Sequence, residues 1–456
     1  MARYQHAVVW TRISGTPEKM GTLVLSEREA TFTYTDAYLS SGQPGFCLLG
    51  DGALWKSDTI TYPISERIPV FPRLLSLIPG NHPRNLQRQH YLDILRAKSG
   101  KEPPLGMETE WRLLMMGGHG GIGHIDLFAD DMDATGIYYR TAPFQNSRAL
   151  TKASNGRSQL WRMLKRQVLD EHVDFDSVVI EKALGATPSV NGMIPKLLVS
   201  MTPGDKQANF FPPETKNKKD VVLKIEPPEY SGLLDLENLC LDIHREAGFD
   251  VPVATCLDDD SLHFLAIERF DREGSNPVPM ESLFSVIATG DHYFRETGDI
   301  LLDELGGIIT NLRQVATLPS DTEEQLYRRF LMALLTGNGD LHLDNIALLG
   351  GLSDCRLTPI YDPAPMRAWP RHDLISAIPF DPSEHKDRGA FFIHLGYSFG
   401  LSEEKVHQCI DDAFNATFFY TARVMALTRV PLVQRQRLVD IAVEERELLD
   451  KYRQTE

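Results

Sequence analysis

The ten residues from Thr336 to Asn345, TGNGDLHLDN, are the segment from which the fold of this chain can be inferred. They follow a strongly apolar helical pattern and bring glycines, asparagines, aspartates and a histidine together. Asp340 and Asn345 stand five positions apart, and Asp362 follows 17 residues later, in LTPIYDP. This spacing is typical of phosphoryl transfer, where one aspartate accepts a hydroxyl proton and an asparagine and a later aspartate bind magnesium. The alternative is a polar loop whose Asp and Asn side chains cap their own backbone.

The bulk composition indicates a globular protein of two or three domains. The chain has 456 residues, 42% hydrophobic and 24% charged, without an apolar run of the roughly 20 residues that a membrane helix needs. Five scattered cysteines form no CxxC pair, which favours a reducing cytoplasm. The net charge of −16 argues against direct, non-specific DNA binding, because such binding requires basic residues against phosphates. We therefore expect a cytoplasmic protein without membrane contact, and DNA contact only indirectly or through a partner.

The pattern of strands and helices predicts an α+β fold. AVVWTR, TLVLS and ATFTYT read as the strands of a small meander, and residues 157–183 look helical. Strand signals become sparse after residue 272, where long helical patterns begin. We therefore expect a small β-rich subdomain over residues 1–105, the rest of a β-containing N-terminal lobe over 106–272, and an all-helical C-terminal lobe over 273–456.

A lysine in an apolar strand and a glutamate in the following helix form a second motif. Lys224 lies within VVLKIEP, and it is either an edge residue with its ammonium in water or a group that reaches phosphates. Glu237 lies near the start of the helical pattern LDLENLCLDIHREAG, which Gly248 closes. A strand lysine followed by a helix glutamate is typical of kinases. The alternative for Glu237 is a solvent-exposed residue in a first helical turn.

The segment GGHGGIG contains the pattern G-x-G-x-x-G at Gly118, Gly120 and Gly123. A dinucleotide-binding motif should open a helix, and the following HIDLFADD does not have an amphipathic helical pattern. We therefore expect a flexible turn here rather than a phosphate site.

Six segments in order give the chain a resemblance to the HipA family of bacterial serine/threonine kinases, the toxins of toxin–antitoxin pairs. They are MGTLVLSEREATFTYTDAYL, FPRLLSLIPG with GGIGHIDLF, SVNGMIPK, VVLKIEP with ENLCLDIHREAGFDVP, LAIERFDRE, and GNGDLHLDN with LTPIYDP. The resemblance implies a two-lobed, kinase-like (HipA-like) fold that transfers the γ-phosphate of ATP to a protein hydroxyl with Mg²⁺. It also implies growth inhibition, and silencing by autophosphorylation and by a small DNA-binding antitoxin of HipB type.

The resemblance also assigns roles to matching positions. Asp340 would be the catalytic base, Asn345 and Asp362 would hold magnesium, and Ser189 would be the autophosphorylation site. Lys224 would reach the ATP phosphates, and His342 would lie beside the nucleotide and brace the catalytic loop. The remaining nucleotide-binding positions are the loop residues Asn191, Gly192, Met193, Ile194, Pro195 and Lys196, the hinge residues Glu268, Arg269 and Phe270, whose backbone would face adenine, and Tyr361.

The sequence departs from the family pattern at three places. Ile194 stands where the family commonly has Gln, Asp344 stands where it has Lys, and PAPMR follows Asp362 in place of a Leu- and Ser-containing run. Asp344 puts an extra negative charge beside the expected metal ligands. For that reason a pseudokinase or regulatory binding module of the same fold remains an alternative, and a kinase for a small soluble alcohol is a third.

Overall fold

The computed structural model describes residues 4–55, 57–81, 85–139, 152–153, 156–157, 194–259 and 262–453. Ser189, Asn191, Gly192 and Met193 lie outside the described residues, as do the helices expected over residues 157–183, apart from residue 157 itself. The chain divides into two compact units. The N-terminal unit comprises Met1–Glu229, Val253–Glu281 and Ala288–His292, and the C-terminal unit comprises Tyr230–Pro252, Ser282–Ile287 and Tyr293–Glu456.

The first sheet of the N-terminal unit is an antiparallel meander with strand order β4-β3-β2-β1-β5. Its strands are β1 Gln5–Thr11, β2 Glu18–Leu25, β3 Glu29–Tyr34, β4 Thr59–Pro63 and β5 Asp126–Phe128. In β3 the residues Ala30, Phe32 and Tyr34 are buried, and those between them are more exposed, as expected for a strand with one face on a core. This alternation is the signal that predicted the meander, which the structure confirms.

The second sheet of the same unit has the order β11-β12-β10-β8-β9. Its strands are β8 Lys196–Met201, β9 Phe210–Phe211, β10 Lys219–Ile225, β11 Ala254–Asp259 and β12 Leu262–Glu268. Val221, Leu223 and Ile225 of β10 belong to one buried apolar cluster with Phe264 of β12. Because side chains alternate along a strand, Lys224 lies on the opposite face of this sheet.

Four α-helices and two short hairpins also lie in the described part of the N-terminal unit. They are α1 Asp36–Ser41, α2 Leu86–Ser99, α3 Met107–Gly117 and α4 Asp131–Tyr138, with β6 Lys152–Ala153, β7 Gly156–Arg157, β13 Arg272–Glu273 and β14 Asn276–Pro277. Helix α3 ends where the glycine-rich segment GGHGGIG begins.

The C-terminal unit is mainly helical. Strand β15 Met280–Ser282 and helix α6 Leu283–Gly290 lie where the chain passes from the N-terminal unit to the C-terminal unit. The other helices are α5 Leu233–Glu246, α7 Leu305–Leu312, α8 Thr322–Thr336, α9 Arg388–Ser398, α10 Glu403–Ala416, α11 Tyr420–Ala426 and α12 Leu432–Arg453. None of the helices within the described ranges is both long and apolar enough to cross a bilayer.

The expectation of an all-helical C-terminal lobe is wrong in one detail. Strands β16 Ala347–Leu349 and β17 Arg356–Leu357 pair antiparallel. Gly350 forms the turn with a φ of 92°, and Gly351 N–H donates to Asp354 Oδ1 at 2.8 Å. Strands of three and two residues are too short to leave a periodic pattern in a sequence.

The division into units also differs from the expected boundaries. Residues 1–105 and most of 106–272 fall in one unit, whereas helix α5, expected in the N-terminal lobe, belongs to the C-terminal unit. The main change of unit falls between Glu281 and Tyr293 rather than at residue 272.

Candidate functional site

The end of helix α8 directs the chain into the segment around Asp340. Gly337 ends the helix in the left-handed region, with a φ of 78°, which glycine adopts without steric cost. The next N–H group, of Asn338, donates to Ala333 O at 2.8 Å. The Asn338 side chain is buried, and its Oδ1 accepts from Asp340 N–H at 3.0 Å. This turn leaves the Asp340 carboxylate exposed at the surface of the C-terminal unit.

Hydrogen bonds within residues 340–345 hold Asp340 and Asn345 together. Asn345 Nδ2 donates to the Asp340 carbonyl at 2.9 Å, and His342 N–H donates to the same carbonyl at 2.9 Å. The His342 ring accepts at Nδ1 from Asp344 N–H at 3.2 Å, which assigns its proton to Nε2. His342 therefore makes a hydrogen bond within this loop, and its roles in bracing the loop and contacting a nucleotide stay predictions.

Tyr361 connects this loop to Asp362. The Tyr361 hydroxyl donates to the Asp344 carbonyl at 2.6 Å. Burial raises the pKa of Tyr361, and the carboxylates of Asp344 and Asp362 raise it further, so the hydroxyl stays protonated as a donor. Asp362 has a φ of 51°, one of three positive values at non-glycine residues in the described part of the chain. Such a conformation is uncommon for residues other than glycine, although aspartate adopts it more readily than most, and residues in it cluster at functional sites.

Asp344, which replaces the lysine of the family pattern, is held by a residue from another segment. Ser282 Oγ donates to Asp344 Oδ1 at 3.0 Å. The carboxylate is exposed and adjoins Asn345 in sequence. The extra negative charge is thus an ordered part of this site.

The donor set fits a magnesium ion. Asn345 uses its Nδ2 group on the Asp340 carbonyl, which leaves the amide oxygen as its ligand atom. Asp362 supplies a carboxylate. Magnesium prefers such hard oxygen ligands, usually one or two from the protein, with phosphate and water completing the shell.

Arg329 of α8 supports the segment before Tyr361, and it is not among the residues predicted from the sequence. It is buried and donates through Nη2 to the Thr358 carbonyl. Burial lowers its pKa to about 10. The residue stands three positions after Leu326 and four before Ala333, on the apolar face of the helix. An arginine at that spacing is a signal that sequence reading could have used.

The segment PAPMR packs on the glycines of the loop. Arg367 N–H donates to Gly337 O at 3.1 Å, and a Cβ on Gly339 would lie 1.8 Å from Leu374 O. His372, five residues after Arg367, is near enough to Asp340 for the carboxylate to act on its pKa. Burial and Arg371 lower the pKa of His372, and Asp340 acts in the opposite direction.

The predicted phosphate-binding lysines are cross-strand neighbours in the N-terminal unit. Lys224 of β10 pairs with Lys196 of β8, and Lys224 is only 3% exposed. Pro195 O accepts from Ile225 N–H at 2.9 Å, which continues the pairing of these strands to Pro195, and the preceding Ile194 is half-buried.

The hinge residues contribute differently from the expectation. Glu268 N–H donates to Val253 O at 2.8 Å, and Arg269 N–H donates to Asp220 O at 3.0 Å. These two donors are therefore used within the N-terminal unit, and an adenine contact by this stretch would rely on other backbone groups, including those of Phe270.

The Arg269 side chain is directed to the glycine-rich segment. Its Nη2 donates to Gly121 O at 2.6 Å and to Asp271 Oδ2 at 2.8 Å. Arg272 Nη1 donates to Gly123 O at 3.0 Å, and Gly123 N–H donates to Asp271 Oδ2 at 2.8 Å. Burial alone would raise the pKa of Asp271, but Arg269 and Arg272 hold it well below its usual range. The glycines thus form a turn, as predicted, but buried charged side chains hold it in place, so the expected flexibility is not what the structure has.

Comparison with known proteins identifies the family. The sequence model described as the HipA-like C-terminal domain matches residues 188–418, which is 231 of the 456 residues. The chain belongs to the HipA-like family.

Two curated relatives of this HipA-like chain carry the name "Putative kinase". One, Y4dM of Sinorhizobium fredii, is 31% identical over 176 residues, which are 36% of this chain and 39% of that relative. The other, from Haemophilus influenzae, is 26% identical over 262 residues, which are 52% of this chain and 73% of that relative.

A solved structure confirms the fold. A chain of the Shewanella oneidensis complex of HipA, HipB and operator DNA superposes with a TM-score of 0.63 at 16% identity, covering 98% of this chain and 100% of that one. The prediction of an α+β, HipA-like kinase fold is therefore confirmed.

Glu237 of helix α5 is 1% exposed, which excludes the alternative of a solvent-exposed glutamate in a first helical turn.

Proposed function

We propose that this HipA-like chain is an ATP- and magnesium-dependent serine/threonine protein kinase. The observation that carries the proposal is the linked set Asp340, Asn345 and Asp362. The Asn345–Asp340 and Tyr361–Asp344 hydrogen bonds order its two segments. Phosphoryl transfer needs little covalent chemistry from a protein beyond positioning, charge neutralisation and one base, and these residue types supply all three.

In this mechanism Asp340 accepts the proton of the substrate hydroxyl as its oxygen attacks the γ-phosphate. Its exposed position leaves room for an incoming protein side chain. Asn345 and Asp362 would hold magnesium, which supplies charge neutralisation at the phosphates when bound. Lys224, with Lys196 beside it, would bind phosphate oxygens, and the loop Asn191–Lys196 would cover them.

We further propose that the kinase inhibits growth in the cytoplasm and is silenced in two ways. One is autophosphorylation of Ser189, and the other is a small DNA-binding antitoxin of HipB type. The similarity to a HipA chain solved with HipB and operator DNA supports this partner. The net charge of −16 agrees with DNA contact through the partner rather than through this chain.

The test is an intact-mass measurement of the purified chain after incubation with ATP and magnesium, followed by site mapping. Wild type should gain phosphate, with Ser189 as the mapped site. Asp340→Ala should lower the rate by about 10²–10⁴-fold, the usual contribution of a positioned base. Asp440→Asn, an exposed position on α12, should behave as wild type. An unchanged rate of phosphate transfer in Asp340→Ala would show that Asp340 is not the catalytic base.

Asp344 supports a second candidate, a pseudokinase that acts as a regulatory binding module. Its carboxylate stands beside Asn345 where the family pattern has a cation, and it would repel nucleotide phosphates. A pseudokinase would show either a thermal shift with ATP and magnesium but no mass gain, or no magnesium-dependent shift. The kinase should show both the shift and the mass gain.

A further inference from the structure

The turn that follows the PAPMR segment lies beside Asp340 in the C-terminal unit. Within this turn His372 N–H donates to Trp369 O at 2.8 Å, and Leu374 N–H donates to His372 O at 2.8 Å. The Leu374 carbonyl packs so closely on Gly339 that an added Cβ would lie 1.8 Å from its oxygen. Because Gly339 directly precedes Asp340, a polypeptide that presents its hydroxyl to Asp340 also meets this turn.

The buried Tyr230 orders two side chains of the turn. The guanidinium carbon of Arg371 lies 4.6 Å from the centroid of the Tyr230 ring. The Tyr230 hydroxyl and His372 Nε2 are hydrogen-bonded at 2.6 Å. A cation–π contact of this kind fixes the direction of an arginine side chain and leaves its N–H donors available for another partner.

The positive charge of Arg371 is not neutralised by a neighbouring carboxylate. Arg371 is exposed, and it makes no hydrogen bond or ion pair with any residue that the structure describes. Asp373, two positions later, is instead bound by Arg437 Nη2 at 2.6 Å and by Arg367 Nε at 3.3 Å. In a chain with a net charge of −16, Arg371 is therefore an ordered cation that is open to an external anion.

Arg371 lies within electrostatic range of the candidate base. Burial and Arg371 lower the pKa of His372, and the Asp340 carboxylate raises it, so both charges act on one ring. This agrees with the packing of the turn on Gly339. A substrate residue bound by Arg371 would thus be a near neighbour of the hydroxyl that Asp340 deprotonates.

We propose that Arg371 selects the protein substrate by binding the carboxylate of an acidic residue close to the acceptor hydroxyl. A guanidinium presents a planar fork of donors to a carboxylate, and the pairing gives geometric specificity as well as energy. The inference rests on the proposed kinase function and adds the substrate class, a serine or threonine with an acidic neighbour.

The test uses capped peptides of the form AGAGSGAGA with one glutamate at each flanking position in turn, and the same set with glutamine. Fluorescence anisotropy with the full chain measures binding. At least one glutamate peptide should bind about fivefold more tightly than its glutamine counterpart, and salt should weaken this preference. Equal binding of every pair, or no measurable binding of any peptide, would overturn the proposal.

Variants assign the preference to Arg371. Arg371→Gln should remove it, Arg371→Lys should keep part of it, and neither should change the melting temperature, because the residue is exposed. Arg28→Gln is the matched control, since Arg28 is an exposed arginine of the N-terminal unit. A preference for glutamate that persists in Arg371→Gln would overturn the assignment.

Phosphate transfer to the preferred peptide separates this inference from its alternatives. Arg371→Gln should raise the KM for the peptide about fivefold and leave the KM for ATP unchanged. A raised KM for ATP with unchanged peptide binding would overturn the proposal and assign Arg371 to the nucleotide phosphates. Autophosphorylation without any glutamate preference would overturn the proposal and leave the kinase function intact. A glutamate preference in binding, without transfer to any peptide or to the chain itself, would overturn the kinase function and leave Arg371 as a peptide-binding residue.

Discussion

Arg367 Nη1 lies 2.8 Å from Glu445 Oε1, and both side chains are buried. Glu445 also accepts from Arg388 Nε at 2.8 Å, so one carboxylate of the last helix binds arginines from two other segments. Since Arg367 N–H also donates to Gly337 O, this ion pair joins helix α12 to the glycines that precede Asp340. The PAPMR segment, which departs from the family pattern, thus has a structural role next to the candidate site.

Glu445→Gln should destabilise the protein by about 3 kcal/mol, because breaking a buried pair leaves the arginines without their counter-charge. Urea unfolding would measure this. Glu444→Gln is the matched control: Glu444 binds the same Arg388 but is 62% exposed, so the change should stay within about 0.5 kcal/mol. Equal effects of the two variants would contradict the role assigned to Glu445.

Gly339→Ala should destabilise the C-terminal unit by about 1–3 kcal/mol and slow phosphate transfer. The added Cβ would lie 1.8 Å from the Leu374 carbonyl, so one of the two backbone segments must move. Gly307→Ala, in helix α7 with nothing within 4 Å of the added Cβ, should instead stabilise by about 0.5–1 kcal/mol. Thermal unfolding and the mass assay measure both effects. A neutral Gly339→Ala would show that residues 339 and 374 are not packed as described.

Asp344→Asn should raise the rate of phosphate transfer about fivefold. The change removes a charge worth about 1 kcal/mol at 4 Å in water, while an amide oxygen can still accept from Ser282. Initial rates at several magnesium concentrations measure it. A rate decrease at saturating magnesium would instead make Asp344 a contributor to metal or substrate binding.

Stability should fall as pH drops below about 6.5, because two histidines are buried in their neutral form. Burial lowers the pKa of His124 to about 3 and that of His244 to about 4. Below pH 6.5 the unfolded chain therefore binds protons that the folded chain does not, and each histidine costs about 1 kcal/mol between pH 6.5 and 5.5.

Unfolding curves across this pH range provide the measurement. His124→Gln can still donate to Gly45 O, as the Nε2–H group does at 3.0 Å, and it should flatten the pH dependence. Exposed His6→Gln serves as the control and should leave the slope unchanged. An identical slope in His124→Gln would mean that this histidine is not buried in its neutral form.

The parts of the fold that depend on local pattern could be predicted from the sequence. The spacing of Asp340, Asn345 and Asp362 follows from one helix end and one following segment, and the alternation around Phe32 marks a strand by itself. Contacts between distant residues could not be predicted in this way. Gly123 and Asp271 are 148 positions apart, and Arg367 and Glu445 are 78 apart. The placement of α5 with the C-terminal unit likewise follows from tertiary packing, which a single helix pattern does not encode.

The hydrogen bonds between the glycine-rich turn and the hinge affect which fragments of this chain can be expected to fold. A fragment limited to residues 188–418, the part that matches the family, would retain Arg269, Asp271 and Arg272 but lose the carbonyls of Gly121 and Gly123. Three charged groups that are buried in the whole chain would then lack part of their coordination, at a cost of several kcal/mol. The glycine-rich segment therefore supplies structural contacts that the hinge needs, and the two parts should be expressed and purified together.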